Sequence, residues 1–204
     1  MRAPDPLARA GAAKAIFDYL VEHKTRQTAN PTNDLNRAIT TAMFGDRDLT
    51  HIEKMGMYYV LYVGGLDTVY GTLGWSMRYI ATHPEFQKML RDNPDKLPKA
   101  VDELLRMFSV VMTDRMVTRD VTWHGVELKQ GDPVNMPIFI ACRDPQAYPN
   151  PHEADLERKE TMLAFASGPH LCLGMHLARR EIRIALESFL NRFENIHIPE
   201  GAQY

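Results

Sequence analysis

The sequence predicts a mainly α-helical fold with a minor antiparallel β-sheet, and three observations carry that expectation. The stretch from His51 to Thr82 is largely apolar and free of proline, which suits one long helix. Short β-prone segments separated by glycine turns follow Phe108. A final amphipathic run extends from Leu173 to Phe193.

Each element has its own local cause. Ala12 to Thr25 places Ile16, Phe17, Leu20 and Val21 on one helical face, and Asn30-Pro31 ends that pattern. Asp34 to Phe44 forms a shorter helix closed by Gly45. Thr50-His-Ile-Glu53 matches a capping box, so the long helix starts at His51. A helix over 51–82 spans roughly 48 Å. It is apolar on much of its circumference, so it is expected to run through the middle of the molecule. Pro84 opens a further helix to Arg91, and Pro98 one to Phe108, with proline in the first turn. The sheet is expected from Arg115–Val121, Val126–Leu128 and Pro133–Met136, turned at His124-Gly125 and Gln130-Gly131-Asp132. Arg143 to Leu156 holds three prolines and no periodicity, which marks a loop. Phe165 to Gly174 is a second, glycine-punctuated loop ahead of the last helix.

Composition narrows the function. The 204 residues include 24 basic and 26 acidic side chains, a net charge of −2, which argues against a nucleic-acid binder. Hydrophobic residues make up 45% and charged ones 25%, the balance of a globular protein. The longest near-apolar run, Met57 to Leu66, falls well short of the roughly 20 residues of a membrane span. The N-terminal MRAPDPLARAG lacks a hydrophobic signal region, so a cytoplasmic location is expected. Two cysteines, Cys142 and Cys172, exclude a disulfide scaffold and a four-cysteine iron–sulfur cluster, and fit a reducing compartment.

The loop Phe165–Gly174 is the chemical centre of the sequence. Cys172 stands just before a helix start, where free backbone N–H groups and the positive helix end favour negative charge on sulfur. Gly168 permits an unusual turn, and Gly174 lets a flat ligand approach the first helical turn. Such a thiolate suits axial ligation of haem iron. Read without context, it is also an ordinary buried cysteine, and His170, Cys172 and His176 form at most a partial zinc set.

Phe165-x-x-Gly168-x-His170-x-Cys172-x-Gly174 resembles the cysteine-ligand signature of the cytochrome P-450 superfamily of haem-thiolate monooxygenases. Two more elements of that family stand upstream in the same order. Glu103-Leu-Leu-Arg106 is similar to its E-x-x-R pair, and Gly64-Gly-Leu-Asp67-Thr68 to the oxygen-activating motif of its central helix. Val63–Thr68, His124-Gly125-Val126, His170–Gly174, His176–Glu181, Asp18-Tyr19-Leu20 and Pro4-Asp5 are similar to the soluble bacterial camphor-hydroxylating branch. The resemblance covers nearly the whole chain. It implies that residues 1–204 are the C-terminal portion, about half, of a single catalytic domain, without a separate second domain. The family's final strands are then expected beyond Tyr204.

The resemblance assigns roles. Cys172 is the axial ligand of haem b, iron protoporphyrin IX, with Phe165 and Gly174 around it. Arg115 and His170 bind the haem propionates; a guanidinium matches a carboxylate in a bidentate manner. Thr68 and Asp67 serve oxygen activation and proton relay. Thr68 bonding back to the Gly64 carbonyl would loosen the helix and open an oxygen groove. Glu103 and Arg106 support the proximal side, with Arg143 as the third member of their network. Val60, Val63, Gly64 and Val111 map near a small hydrophobic, terpenoid-like substrate. Electrons from NAD(P)H would arrive through a reductase and a ferredoxin, and His176, Arg179, Arg180 and Arg183 would offer that ferredoxin a basic face, or simply a solvated helix face.

The implied reaction inserts one oxygen atom from O₂ into the substrate, with no nucleic acid or membrane partner. Two alternatives stand beside it: a truncated, non-catalytic haem-binding fragment, and a peroxide-using haem protein, against which the Asp67-Thr68 pair argues. The chain departs from the family pattern at Met162-Leu163, Ala166, and Thr113-Asp114. These departures are compatible with haem binding but argue against camphor itself as the substrate.

Overall fold

The computed structural model describes residues 5–202. Pro4, matched above to the camphor branch, and Tyr204, beyond which further strands are expected, lie outside the described residues. The chain divides into two compact units, Met1–Leu66 and Asp67–Tyr204.

In the first unit, helix α1 (Pro6–Ala29) is longer at both ends than periodicity predicts. Asp5 accepts from the Leu7 N–H at 3.0 Å, and Pro6 occupies the first helical position, so the start is set by a cap and not by an apolar residue. Helix α2 (Asp34–Thr40) is capped by Asn33, whose side chain accepts from the Asn36 N–H at 2.9 Å. It stops short of Phe44. Strands β1 (Met43–Phe44) and β2 (Arg47–Asp48) instead form a small antiparallel hairpin. Gly45, expected as a helix terminator, supplies the turn with φ +60°. Leu20, Ile39, Met55 and Tyr58 form this unit's small core.

Helix α3 (His51–Thr82) begins and ends where the sequence predicts. Its capping box is complete: the Thr50 N–H donates to Glu53 at 2.7 Å, and the Glu53 N–H donates to Thr50 Oγ1 at 3.3 Å. Arg47 adds a two-pronged contact to the same carboxylate at 2.8 and 2.7 Å. These bonds, Arg47 first, lower the Glu53 carboxyl to about 2. The expectation that α3 is covered all round is corrected. Ile52, Val60, Leu66 and Tyr70 are exposed, while Thr72, Ser76 and Ile80 are buried. The described elements pack on only part of its apolar circumference.

The second unit carries the larger core. Helices α4 (Pro84–Asp92), α5 (Leu97–Met107) and α7 (Met175–Arg192) meet the C-terminal end of α3 through Ile80, Phe86, Leu90, Val101, Leu104, Ile182 and Leu186. Each such side chain, fully buried, contributes about 1.5–3 kcal/mol.

The β region consists of two separate ladders and not one sheet. Strand β3 (Met112–Met116) pairs with β6 (Pro133–Pro137), with Thr113 opposite Met136 and Arg115 opposite Val134. Strands β4 (Val121–Trp123) and β5 (Val126–Leu128) form a hairpin around His124-Gly125, both at positive φ. The first strand lies earlier than the expected 115–121. Val117 exchanges bonds with Asp132 and Gly131 beyond the last ladder pair, and the chain then turns away. A single helical turn, α6 (Ile138–Ala141), follows β6. From Arg143 to Gly174 the chain is irregular apart from a 3₁₀ turn, Gly168–His170. Among the described residues, no helix is long and apolar enough to cross a membrane.

Candidate functional site

The cysteine loop is built by its own backbone. The Cys172 N–H donates to the Phe165 carbonyl at 2.9 Å, closing the loop across the 3₁₀ turn. Gly168 supplies φ +59°, and Ala166 also adopts the left-handed region, at φ +57°. Ala166 is one of the departures from the family pattern, and its conformation is one that glycine accepts without strain. Phe165 packs against the main core and so anchors the loop.

Cys172 lies three residues ahead of the first residue of α7, and no side chain caps that helix start. A Cβ added to Gly174 would meet nothing nearer than Cys172 Sγ, at 4.0 Å. The sulfur therefore sits beside an open helix N-terminus. Cys172 is exposed, in contrast to Cys142, which is fully buried with its thiol pushed up by burial. Leu171 and Leu173, its neighbours in the chain, are at least half exposed.

The donor set discriminates between kinds of metal. Among the described residues, no group of three or more His, Cys, Asp or Glu side chains could hold a bare ion. A single exposed thiol suits instead a metal whose remaining ligands come with a planar macrocycle. The residues present fit haem.

Behind the loop stands a saturated charge network. Glu103 and Arg106 lie on α5, both buried. Arg106 meets the carboxylate in a bidentate manner at 2.9 and 3.0 Å, and also donates to the Cys142, Pro151 and Glu153 carbonyls at 2.9, 2.9 and 3.1 Å. The Asp155 N–H adds a bond to Glu103 at 3.0 Å. Burial alone would raise the Glu103 carboxyl, but the hydrogen bonds from Arg106, Asp155 and Arg158 together hold it below the usual range.

The third member is Arg158, whose Nε lies 3.0 Å from both Glu103 oxygens. This corrects the expectation placed on Arg143. The Cys142 carbonyl is taken by Arg106, and the next side chain, Arg143, turns to lie 5.4 Å over the Phe108 ring. Arg143 opens the Pro-rich segment and Arg158 lies just beyond its end at Leu156, and spacing alone does not choose between them. Tyr148 was also missed; its buried ring lies beneath Arg106, and its hydroxyl donates to the Thr161 carbonyl at 2.9 Å.

Arg179, read as part of a docking face, is partly committed inward. Its Nε donates to Asp102 at 2.7 Å, and its guanidinium lies 4.8 Å over the Phe165 ring. His176, Arg180 and Arg183 remain exposed. Arg115 sits exposed on β3 and donates to the Asp114 carbonyl at 2.8 Å, while His170 ends the 3₁₀ turn two residues before Cys172. Val111 precedes β3, and its carbonyl accepts from Ile138 at 3.1 Å. Asp67 is exposed and Thr68 half-buried at the start of the second unit. Val60, Val63 and Gly64 belong to the first unit and are exposed. Helix α3 runs unbroken past Gly64 and Thr68, where a local loosening was expected, although a Cβ at Gly64 would meet nothing within 4 Å.

Comparison with known proteins agrees with these elements. Residues 7–203 match the family model described as Cytochrome P450. A probable cytochrome P450 127A1 of Sinorhizobium fredii is 39% identical over 194 residues, covering 95% of this chain and 47% of the relative. The nocardicin C N-oxygenase of Nocardia uniformis is 35% identical, covering 92% of this chain and 48% of its own length. The crystal structure of cytochrome P450 CYP101C1 superposes with a TM-score of 0.84 at 33% identity, covering 93% of this chain and 49% of that one. The chain thus spans about half the length of the relatives it matches. With its cysteine loop, its buried Glu103-Arg106 pair and its near-complete match to the family model, the chain belongs to the cytochrome P450 family.

Proposed function

We propose that this chain is the haem-ligating portion, about half, of a single P450 catalytic domain. That domain would be a cytoplasmic monooxygenase acting on a small hydrophobic, terpenoid-like compound with electrons from NAD(P)H through a reductase and a ferredoxin. One observation carries the reading: an exposed cysteine beside the uncapped start of α7, in a loop tied by its own backbone bonds to a core-anchored phenylalanine.

Haem b, when bound, supplies the oxygen chemistry, and the protein supplies ligation, positioning and proton delivery. Cys172 holds the iron through its sulfur, and Phe165 screens one side of that sulfur from water. Gly174 keeps the first turn of α7 low, so that a flat group can approach. Arg115 and His170 hold the two propionates. Thr68 places a hydroxyl, and Asp67 a carboxylate, where protons are handed inward from solvent. Gly64 leaves room on the same helix, and Val60, Val63 and Val111 are the aliphatic positions that the family resemblance maps to the substrate. Glu103, Arg106 and Arg158 touch none of the reacting groups and fix the loop from behind.

A second reading, a haem-binding piece without turnover, is favoured by the exposure of Val60 and Val63, which a finished substrate pocket would enclose. Both readings are tested on the purified chain loaded with haem. A red-shifted thiolate-type Soret band on reduction and addition of CO is expected, and its loss in Cys172→Ala. A band that survives the substitution removes Cys172 from the iron. NADH oxidation coupled to product through a ferredoxin system then separates the monooxygenase from the inert piece.

A further inference from the structure

Arg179 differs from the other basic residues that follow the cysteine loop. His176, Arg180 and Arg183 are exposed, whereas Arg179 is half-buried. It stands just past the first turn of α7, where a cation gains nothing from the helix dipole. Two contacts hold it instead. Its Nε donates to Asp102 of α5 at 2.7 Å, and its guanidinium lies 4.8 Å over the Phe165 ring. A planar guanidinium keeps both at once, an ion pair at its edge and an aromatic ring against its face. An ammonium group has no such face.

Phe165 is where the cysteine loop is fastened. Its carbonyl accepts from the Cys172 N–H at 2.9 Å, and the next N–H, that of Ala166, donates to the Leu163 carbonyl at 2.8 Å. Phe165 is partly buried against the main core. With Asp102 and Arg179 it also borders a hollow of about 400 Å³, so the base of the loop is not packed solid on that side. Asp102 and Glu103 are neighbours on α5 and brace different segments: Glu103 takes the Asp155 N–H and Arg158, and Asp102 takes Arg179. A line of contacts therefore runs from Asp102 through Arg179 and Phe165 to Cys172. Each of its outer links, a part-exposed ion pair and one cation–ring contact, changes an equilibrium only a few-fold. Their leverage is local, because a loop resting on few bonds opens well before the core does.

We propose that Arg179, held by Asp102, is a positioning residue for the Cys172 sulfur: it fixes the Phe165 ring, and the Phe165 carbonyl in turn fixes the Cys172 N–H. This rests on the reading of Cys172 as the iron ligand. Arg179 acts through Phe165 and not on the iron.

The test reads amide hydrogen exchange in the full chain as purified. In Arg179→Gln the Cys172 N–H should exchange about fivefold to tenfold faster. The N–H groups of Ile182 and Leu186, buried farther along α7, should keep their rates. Arg179→Lys keeps the ion pair and loses the flat face, and Asp102→Asn does the reverse, so each should accelerate Cys172 about twofold to fivefold. Arg192→Gln removes a cation from the exposed far end of the same helix and should change nothing at Cys172. A merely structural role would speed all these amides together and lower the urea midpoint to match. Unchanged exchange at Cys172 in Arg179→Gln, equal acceleration at Ile182 and Leu186, or the same acceleration in Arg192→Gln overturns the proposal. If Arg179→Gln does not fold, Arg179→Lys and Asp102→Asn decide it. With haem added, Arg179→Gln should lose part of the thiolate-type band and Arg179→Lys should recover some of it; an undiminished band in Arg179→Gln also overturns the proposal. Absence of that band from the unaltered chain would instead remove the iron-ligand reading, while the exchange rates still decide whether Arg179 orders Cys172.

Discussion

The charge network on α5 and the cysteine loop before α7 belong to the same unit, yet they treat their polar groups in opposite ways. Glu103, Arg106 and Arg158 are buried, with side-chain exposures of 8%, 1% and 4%, and their charges answer one another. Cys172 and His170 are exposed and rest on backbone bonds alone. Groups that hold a fold together spend their bonding capacity inside it. Groups reserved for a ligand are kept open, and the rigidity around them comes from elsewhere. Removing a member of the first set should therefore unfold the protein while changing little chemistry, and the second set should do the reverse.

The largest effect is expected from Glu103→Gln. It leaves two buried guanidinium groups without their shared counter-charge, a loss of about 3–5 kcal/mol measured by urea unfolding. A loss under about 1 kcal/mol would mean that backbone carbonyls alone hold Arg106 and Arg158. Next comes pH. The Glu103 carboxyl titrates below its ordinary value near 4.5, so its contribution is complete above that value. As pH falls further, the unfolded chain takes up the proton first and stability declines. Urea midpoints should fall on acidification through this range, and the part owed to Glu103 should vanish in Glu103→Gln.

A smaller gain is expected within the cysteine loop. Ala166 holds φ +57°, and glycine at that position should add about 0.5–1 kcal/mol, read as a higher urea midpoint. A loss would show that the alanine methyl packs usefully despite its backbone. The smallest effect on folding belongs to Cys172→Ala. At an exposed position the change should stay within about 0.5 kcal/mol, while the thiolate-type band of the haem-loaded chain disappears. A large destabilisation would make Cys172 a structural residue and erase the contrast between the two regions.

Much of this organisation is legible in the chain because it is local. The bounds of α3 follow from a capping box and from the prolines on either side of the stretch, signals confined to a few residues. The cysteine loop is equally local: glycines, a phenylalanine anchor and a cysteine stand in fixed order within ten residues. The family likeness was visible there, and again at Glu103–Arg106 and Gly64–Thr68. Strand bounds were less legible. Two-stranded ladders such as β3–β6 are set by which partner the chain returns to, and propensity does not encode that.

The choice between Arg143 and Arg158 shows where the boundary falls. Both stand in an aperiodic segment, both carry the same charge, and both lie far along the chain from Glu103. The sequence by itself determined the helices, the cysteine loop and the pairing of Glu103 with Arg106, because each depends on neighbours one or two turns away. Only the tertiary structure decided that Arg158 closes the network while Arg143 lies over the Phe108 ring, and that α3 keeps much of its apolar surface exposed. Those outcomes depend on how far a loop travels before it meets buried charge, and on which surfaces find a partner. Both are properties of the packed molecule and not of any stretch within it.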